Sequence, residues 1–181
     1  MSGGVLVAGI GNVLLTDDGF GSEVARRLAA GPLPNGVRVV DYGIRGMHLA
    51  YDLLDGYDAL VVVDALPGTG SPGDLSVLQV GPGDLTGSDD TAGLDAHGMA
   101  PVSVLASLGQ LGGALPPTWV VGCQAADVGE GMGLTPAVEG AVDGAVTLVH
   151  ELLGARLQPP AARPPRRTRA GASALPTKEL S

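Results

Sequence analysis

The 181-residue chain has a single cysteine, Cys123, and this scarcity excludes two kinds of architecture. An internal disulfide framework needs paired cysteines, and a zinc site built from several thiolates needs more than one. Cys123 lies in the apolar run 119–123, where a free thiol packs as a small hydrophobic group. We therefore expect Cys123 to be buried.

Basic residues are also scarce in most of the chain. Residues 1–154 contain four arginines, no lysine and 18 acidic residues, a formal charge of -14, whereas residues 155–181 carry +5. Binding to nucleic acid needs clusters of basic groups that neutralise phosphates, so the acidic body argues against a nucleic-acid partner. Only 3% of the residues are aromatic and 45% are hydrophobic, which predicts a core of valine, leucine and alanine.

Long apolar runs and targeting signals are lacking too. No apolar stretch approaches the roughly 20 residues that span a bilayer, and the first apolar run is short and has no basic flank, unlike a signal peptide. We therefore expect a soluble, cytoplasmic protein with no membrane partner. We also expect one α/β domain over residues 1–154, followed by a disordered tail rich in proline and arginine over residues 155–181.

Short apolar runs alternate with helical patterns along residues 1–154. Strands are predicted at 5–10, 37–41, 59–63 and 119–123, with an alternating edge strand at 75–80. Helices are predicted at 19–30, 47–54, 97–111 and 135–153, the last with Thr135 as its N-cap and Pro136 at its first position. This order predicts an α/β fold, a three-layer αβα arrangement around a twisted, mostly parallel five-stranded sheet.

The segment after the first predicted strand is the most restrictive motif in the chain. Residues 9–21 read GIGNVLLTDDGFG, a glycine-rich turn that brings two adjacent carboxylates, Asp17 and Asp18, to the start of a helix. Asp64 directly follows the third predicted strand, and His97 opens the helix after an acidic loop. Because the segments after parallel strands lie at one edge of a sheet, Asp18, Asp64 and His97 could converge in one cleft. Carboxylate and imidazole ligands together suit a divalent transition metal such as nickel or zinc.

Each of these residues also has a purely structural interpretation. Asp18 could stabilise the helix N-terminus through the helix dipole, Asp64 could start a turn, and His97 could cap a helix or lie in solvent. Asp17 is more simply explained as a helix cap. Asp41, at the end of the second strand, could stabilise a turn or line the cleft.

Several common catalytic and binding motifs are missing. The first turn lacks the third glycine of the dinucleotide-binding motif, and the chain has no phosphate loop, no His-Glu-x-x-His and no Gly-x-Ser-x-Gly. A nucleotide- or sugar-phosphate-binding protein that uses the first turn as an anion site stays an alternative. The adjacent carboxylates of Asp17 and Asp18 would repel a phosphate there.

Five segments match a known family pattern in the same order. They are GIGN at 9–12 with Leu15, DDG at 17–19 and Gly21; DYG at 41–43 with GM at 46–47 and Leu49; VVDA at 62–65; His97 with its apolar helix; and GLTPAV at 133–138. On these residues, over about positions 5–153, the chain resembles the maturation endopeptidases of nickel–iron hydrogenases. The family has a twisted, mostly parallel sheet. Its members remove a short C-terminal extension from the hydrogenase large-subunit precursor after the metal centre has been inserted.

The resemblance also implies roles for three residues. In the family, the acid after the first strand, the Asp after the third strand and a His before a helix bind the precursor's nickel, and these positions match Asp18, Asp64 and His97. The nickel is then supplied by the precursor rather than permanently bound, and the same three residues are the catalytic candidates. The resemblance favours a monomer. A non-catalytic, nickel-sensing chaperone that holds the large subunit without cutting it is the main alternative.

Overall fold

The computed structural model describes residues 3–68, 70–85 and 99–155. In this part of the chain the strands are β1 (Val5–Ile10), β2 (Val37–Gly43), β3 (Ala59–Leu66), β4 (Leu75–Val80) and β5 (Thr118–Gln124), and the helices are α1 (Phe20–Ala30), α2 (Gly46–Leu53), α3 (Met99–Gln110), α4 (Pro136–Glu139) and α5 (Val142–Gly154). A single 3-10 turn, Thr16–Gly19, leads into α1. All but the first residue of the predicted tail lies outside the described residues.

The five strands form one sheet in the order β2-β1-β3-β5-β4. The β1–β2, β1–β3 and β3–β5 pairs are parallel, and β4 runs antiparallel to β5 at the edge. The predicted α/β fold, with its mostly parallel five-stranded sheet and its edge strand at 75–80, is therefore confirmed. Because β1 lies between β2 and β3, the chain passes from β1 to β2 in one direction along the sheet and then back past β1 to β3 in the other. This reversal of the strand order creates a crevice at the carboxyl ends of β1 and β3.

Alternate residues of the central strands face opposite layers of helices. Val7 of β1 packs with α1 and α5, whereas Leu6 and Ala8 pack with α2 and α3. Burial of each such aliphatic side chain stabilises the fold by about 1.5–3 kcal/mol. The core consists mainly of valine, leucine and alanine, as predicted. None of the helices in the described ranges has the length and hydropathy to cross a membrane.

Cys123 of β5 is fully buried in the layer formed with α1 and α5, which confirms the prediction. Burial raises the pKa of its thiol to about 11, and the negative charges of Asp17 and Asp74 act in the same direction. The thiol therefore stays protonated at neutral pH, and Cys123 contributes packing rather than a nucleophile.

Two predicted boundaries are wrong in informative ways. β3 does not end before Asp64, because its pairing with β5 continues through Asp64–Gly122 to Leu66–Gln124. The single helix predicted at 135–153 is two helices, α4 and α5. At the break, the Ala141 amide donates to the carbonyl of Val138, three residues back, directly after the poor helix former Gly140.

Arg27 of α1 pairs with Glu23 of the same helix and connects α1 to the last two helices through the carboxylates of Glu139 and Asp143. Its Nε donates to Glu23 Oε1 at 2.8 Å, and its guanidinium also pairs with Asp143 at 2.7 Å and with Glu139. Hydrogen bonds from Arg26, and then from Arg27, outweigh the effect of burial and lower the pKa of Glu23 to about 2. This cluster holds the α1–α5 layer together at the surface.

Glu23→Gln is expected to remove an acid-sensitive part of the stability. Because the pKa of Glu23 is depressed in the folded protein, the stabilisation from its charge is present above the unfolded value of about 4.3 and is lost as the pH falls through about 2. We expect the variant to be about 1 kcal/mol less stable at pH 7, and the difference to shrink toward zero near pH 2. Urea unfolding across this pH range measures it, and a pH-independent difference would contradict the prediction.

Candidate functional site

The carboxyl ends of β1 and β3 open into a cavity of about 560 Å³. Its lining includes Ile10 at the end of β1 and Gly11 after it, the end of β3, the turn between β2 and α2, and Ser103 and Val104 of α3. The crevice predicted by the strand order is therefore a real concavity. Two of the sequence-predicted site residues, Asp18 and Asp64, line it.

Asp18 is held at the cavity by the turn that follows β1. The backbone amide of Asn12 donates to Asp18 Oδ2 at 2.8 Å, and the side-chain Oδ1 of Asn12 accepts the backbone amide of Leu14 at 2.9 Å. Asp18 is half-buried. The carboxylate of Asp18 already accepts the backbone N–H of Asn12 in this turn, and a phosphate would have to displace it. This argues against the alternative in which the first turn binds the phosphate of a nucleotide or sugar.

Gly11 makes this arrangement possible, since its φ of 139° is a conformation that residues with a side chain rarely adopt. A Cβ at this position would lie 1.8 Å from the carbonyl oxygen of Asp18. The close approach of the two backbone segments, and with it the position of Asp18, therefore requires glycine.

Gly11→Ala is expected to destabilise the protein by about 2–4 kcal/mol and to displace Asp18, because backbone must move to admit the methyl group. Gly36→Ala is the matched control: Gly36 has a φ of 81° with nothing within 4 Å of the added Cβ, so only the left-handed backbone strain of about 1–2 kcal/mol applies. Thermal unfolding of both variants measures the difference. Equal losses would show that the contact with Asp18 is unimportant.

Asp64 is only 5% exposed and lies within β3, where its backbone pairs with Gly122. Burial raises its pKa well above the usual value, and the charge of Asp18 raises it further, while a hydrogen bond from the Ala65 amide partly opposes both. The charge of Asp18 acts on Asp64 because both residues line the same cavity. A cation in the cavity would offset the cost of burying the charge of Asp64 and would weaken the repulsion between Asp64 and Asp18.

His97, the third predicted ligand, lies outside the described residues, as does most of the acidic loop predicted before it. The helix α3 begins two residues further along the chain, at Met99, and its Ser103 and Val104 line the cavity. Among the side chains that the structure describes, no three from histidine, cysteine, aspartate and glutamate converge as a metal site. Of the three predicted ligands, the described residues therefore place two, Asp18 and Asp64, at one cavity.

Asp17 has a role that the sequence interpretation missed. It does not cap α1, whose N-cap position is Gly19. It is fully buried, and its carboxylate accepts the amides of Ala126, Asp127 and Thr135 at 2.7–3.0 Å. Thr135 occupies the N-cap position of α4 with Pro136 after it, as predicted, but its hydroxyl donates to Asp17 Oδ2 at 2.9 Å rather than to the helix backbone.

These hydrogen bonds outweigh burial, which alone would raise the pKa of Asp17, and they lower it below its usual value. Backbone hydrogen bonds join the same two segments. The Thr16 amide donates to Gly131 O, and the Gly131 amide donates to Leu14 O, both at 2.9 Å. Asp17 thus joins the β1 turn to the loop 125–135. The sequence carried no local signal of this, because the partners lie more than 100 residues away.

Asp41, for which turn stabilisation and cleft lining were both open, stabilises the turn and does not line the cavity of Asp18 and Asp64. Its Oδ1 accepts the Gly43 amide at 2.9 Å and the Ser22 hydroxyl at 2.7 Å. It lines a second cavity of about 370 Å³, next to the first, together with Val13 and Met132. The carboxylate that shapes the β2–α2 turn is therefore outside the cavity that holds Asp18 and Asp64.

Comparison with known proteins gives a consistent result. Residues 22–152 match the model of the family described as hydrogenase maturation protease. The hydrogenase expression/formation protein HupD of Rhodobacter capsulatus is 34% identical over 82% of this chain and 70% of that protein.

Solved structures agree with the sequence matches. The hydrogenase maturating endopeptidase HybD from Escherichia coli is 29% identical, with a TM-score of 0.69 over 84% of this chain and 93% of that one. A hydrogenase 2 maturation peptidase from an archaeon of the Thaumarchaeota is 32% identical, with a TM-score of 0.64 over 86% of this chain and 99% of that one. The similarity therefore extends over almost the whole of the described fold.

Proposed function

Because the chain belongs to the hydrogenase maturation protease family, we propose that it removes the C-terminal extension of a nickel–iron hydrogenase large-subunit precursor after nickel insertion. The enzyme class, endopeptidase, follows from the family itself. The observation that carries the finer proposal is the pair Asp18 and Asp64, which line one cavity at the carboxyl ends of parallel strands. Such a cleft admits an extended peptide and presents negative charge to a cation.

In this proposal the nickel belongs to the substrate. Asp18, Asp64 and His97 bind the ion while the precursor still holds it, so that cleavage depends on the presence of nickel. Two oxygen ligands and one imidazole leave coordination positions for ligands of the precursor. The coupled charges of Asp18 and Asp64 support this role, since an arriving cation stabilises both.

The bound nickel holds the scissile peptide bond at the cavity. A water molecule adds to the carbonyl carbon, a carboxylate (Asp18 or Asp64) or the nickel activates that water, and nickel polarises the carbonyl. The proton removed from the water is passed to the leaving nitrogen as the C–N bond breaks. The extension leaves with a new amino terminus, and the large subunit keeps the new carboxylate.

The remaining expectations follow from the same proposal. The enzyme works as a monomer in the cytoplasm, its partner is the large-subunit precursor, and no nucleic acid takes part. The rival interpretation, a chaperone that senses nickel without cutting, lacks support from the endopeptidase family.

The decisive experiment compares nickel-loaded with nickel-free precursor by mass spectrometry. We expect the loaded precursor to be shortened at its C-terminus and the nickel-free precursor to stay intact. Cleavage of both forms would overturn nickel recognition. Stable binding of the loaded precursor without any loss of mass would favour the chaperone.

A further inference from the structure

The second cavity, of about 370 Å³, is a concave surface with exposed apolar groups. Val13, 49% exposed, and Met132, 81% exposed, line it. Arg26 of α1 and Glu139 of α4 also line it, so that it opens in the helix layer that contains α1 and α5. Exposed apolar groups around a concavity mark a surface for binding another molecule.

The charges around this cavity are mainly negative. Three carboxylates and one guanidinium are in its lining: those of Glu23, Asp41, Glu139 and Arg26. Arg27 and Asp143, which pair beside the cavity, add one charge of each sign. Asp41 Oδ1 accepts the Ser22 hydroxyl and the Gly43 amide, whereas its Oδ2 has no hydrogen-bond partner in the part of the chain that the structure describes. The cavity therefore combines apolar surface with an excess of negative charge.

The sequence after α5 contains a segment of complementary chemistry. Residues 163–169 read RPPRRTR, with four arginines, two prolines and no acidic residue. An arginine can lay its methylene stem on apolar groups while its guanidinium pairs with a carboxylate. An uncharged or acidic peptide would leave the excess carboxylates unpaired. A segment rich in arginine and proline therefore fits the second cavity better than either.

The position of Ala155 allows this segment to reach the cavity. α5 follows α4, which contributes Glu139 to the lining, and its 13 residues place Ala155 about 20 Å from the start of α5. A chain in the extended polyproline conformation advances about 3.1 Å per residue, so that residues 156–162 span about 22 Å. Residues 163–169 therefore come to the second cavity when the chain turns back along α5.

We propose that residues 163–169 bind in the second cavity of the same chain, with guanidinium groups on the carboxylates of Asp41 and Glu139 and prolines against Val13 and Met132. This inference goes beyond the proposed function and does not require it. Attachment to α5 gives the segment an effective concentration of about 1 mM, so that a local Kd of about 0.1 mM fills about nine-tenths of the cavities. Any other basic ligand of this surface has to displace the segment.

The test is paramagnetic broadening of methionine methyl signals in the full chain. A nitroxide is attached through Thr168→Cys, and Cys123 stays unmodified because its thiol is buried and protonated. We expect the label to broaden the Met132 methyl signal strongly and the Met47 signal, from the lining of the first cavity, weakly. Replacement of the four arginines by serine should reduce the broadening of Met132 at least about fourfold, because the ion pairs that hold the segment are lost.

Two single variants test the site itself. Glu139→Gln should reduce the broadening of Met132 about twofold, because the segment loses one partner. Asp143→Asn is the matched control, since both acids pair with Arg27 but only Glu139 lines the cavity. It should leave the broadening nearly unchanged.

Three results would overturn the proposal. One is broadening of Met47 that equals or exceeds that of Met132, since the segment would then lie elsewhere. Another is broadening of Met132 that survives the arginine substitutions. The third comes from a mixture of spin-labelled chains with isotope-enriched chains that lack the label: broadening in the enriched chains would show that the segment binds a second copy instead.

Discussion

Asp64→Asn is expected to abolish precursor processing while leaving the protein as stable as the wild type, or more stable. The amide has the shape of the carboxyl group but can neither bind nickel as an anion nor take a proton from water, so that the rate should fall at least about 100-fold. Burial and the charge of Asp18 disfavour the ionised form of Asp64, and asparagine removes that cost. The processing rate and the midpoint of thermal unfolding together measure the effect.

The control for Asp64→Asn is Asp55→Asn, an exposed aspartate after α2 that lines neither cavity. It should change neither processing nor unfolding. Asp18→Ala and His97→Ala should lose processing in the same way while the fold is retained. Normal processing by all three single variants would refute the site, whereas a large loss of stability in Asp64→Asn would show that the carboxylate is structural.

Asp17→Ala is expected to lower the free energy of unfolding by about 3–5 kcal/mol, since three backbone amides and one hydroxyl lose the fully buried carboxylate that accepts their hydrogen bonds. Processing should fall with it, because Asp18 is the next residue and the loop 125–135 lines the cavity through Val128. Urea unfolding measures the loss.

Two further variants separate the contributions within this contact. Thr135→Val removes only the hydroxyl donor and should cost about 1 kcal/mol. Asp17→Asn keeps one oxygen acceptor but places an amide NH₂ group opposite hydrogen-bond donors. We expect its free energy of unfolding to fall by an amount between the losses of Thr135→Val and Asp17→Ala. If Asp17→Ala unfolds at the wild-type urea concentration, the loop is held by other contacts.

The positions of the central strands could be predicted because each contains a short apolar run. Alternation predicted the edge strand at 75–80, and the topology predicted the meeting of Asp18 and Asp64 at one cavity. The match of residues 22–152 to the family model includes the VVDA segment and agrees with the predicted resemblance, whereas the first turn, at residues 9–21, precedes the matched range.

Apart from the missed break at Gly140, the errors concern contacts between distant segments. Asp64 lies inside β3 because β5, more than 50 residues away, supplies a pairing partner. Asp17 lies in a local sequence pattern typical of a helix cap, yet its hydrogen-bond donors belong to residues that follow β5 along the chain. Neither partner can be deduced from the residues beside the carboxylate. Of the two neighbouring acids, Asp17 is therefore not the helix cap that was predicted, while the catalytic role of Asp18 stays a prediction.

The contact between Asp17 and Thr135 has a consequence for biosynthesis. The two residues are separated by 118 positions, so that a nascent chain carries Asp17, and with it the turn that positions Asp18, long before the ribosome has made the loop that braces Asp17. A translation product that stops before residue 126 contains this turn but not its support. Proteolytic competence should thus arise late, when nearly the whole domain has emerged, and incomplete copies of the enzyme should be unable to cut the precursor prematurely.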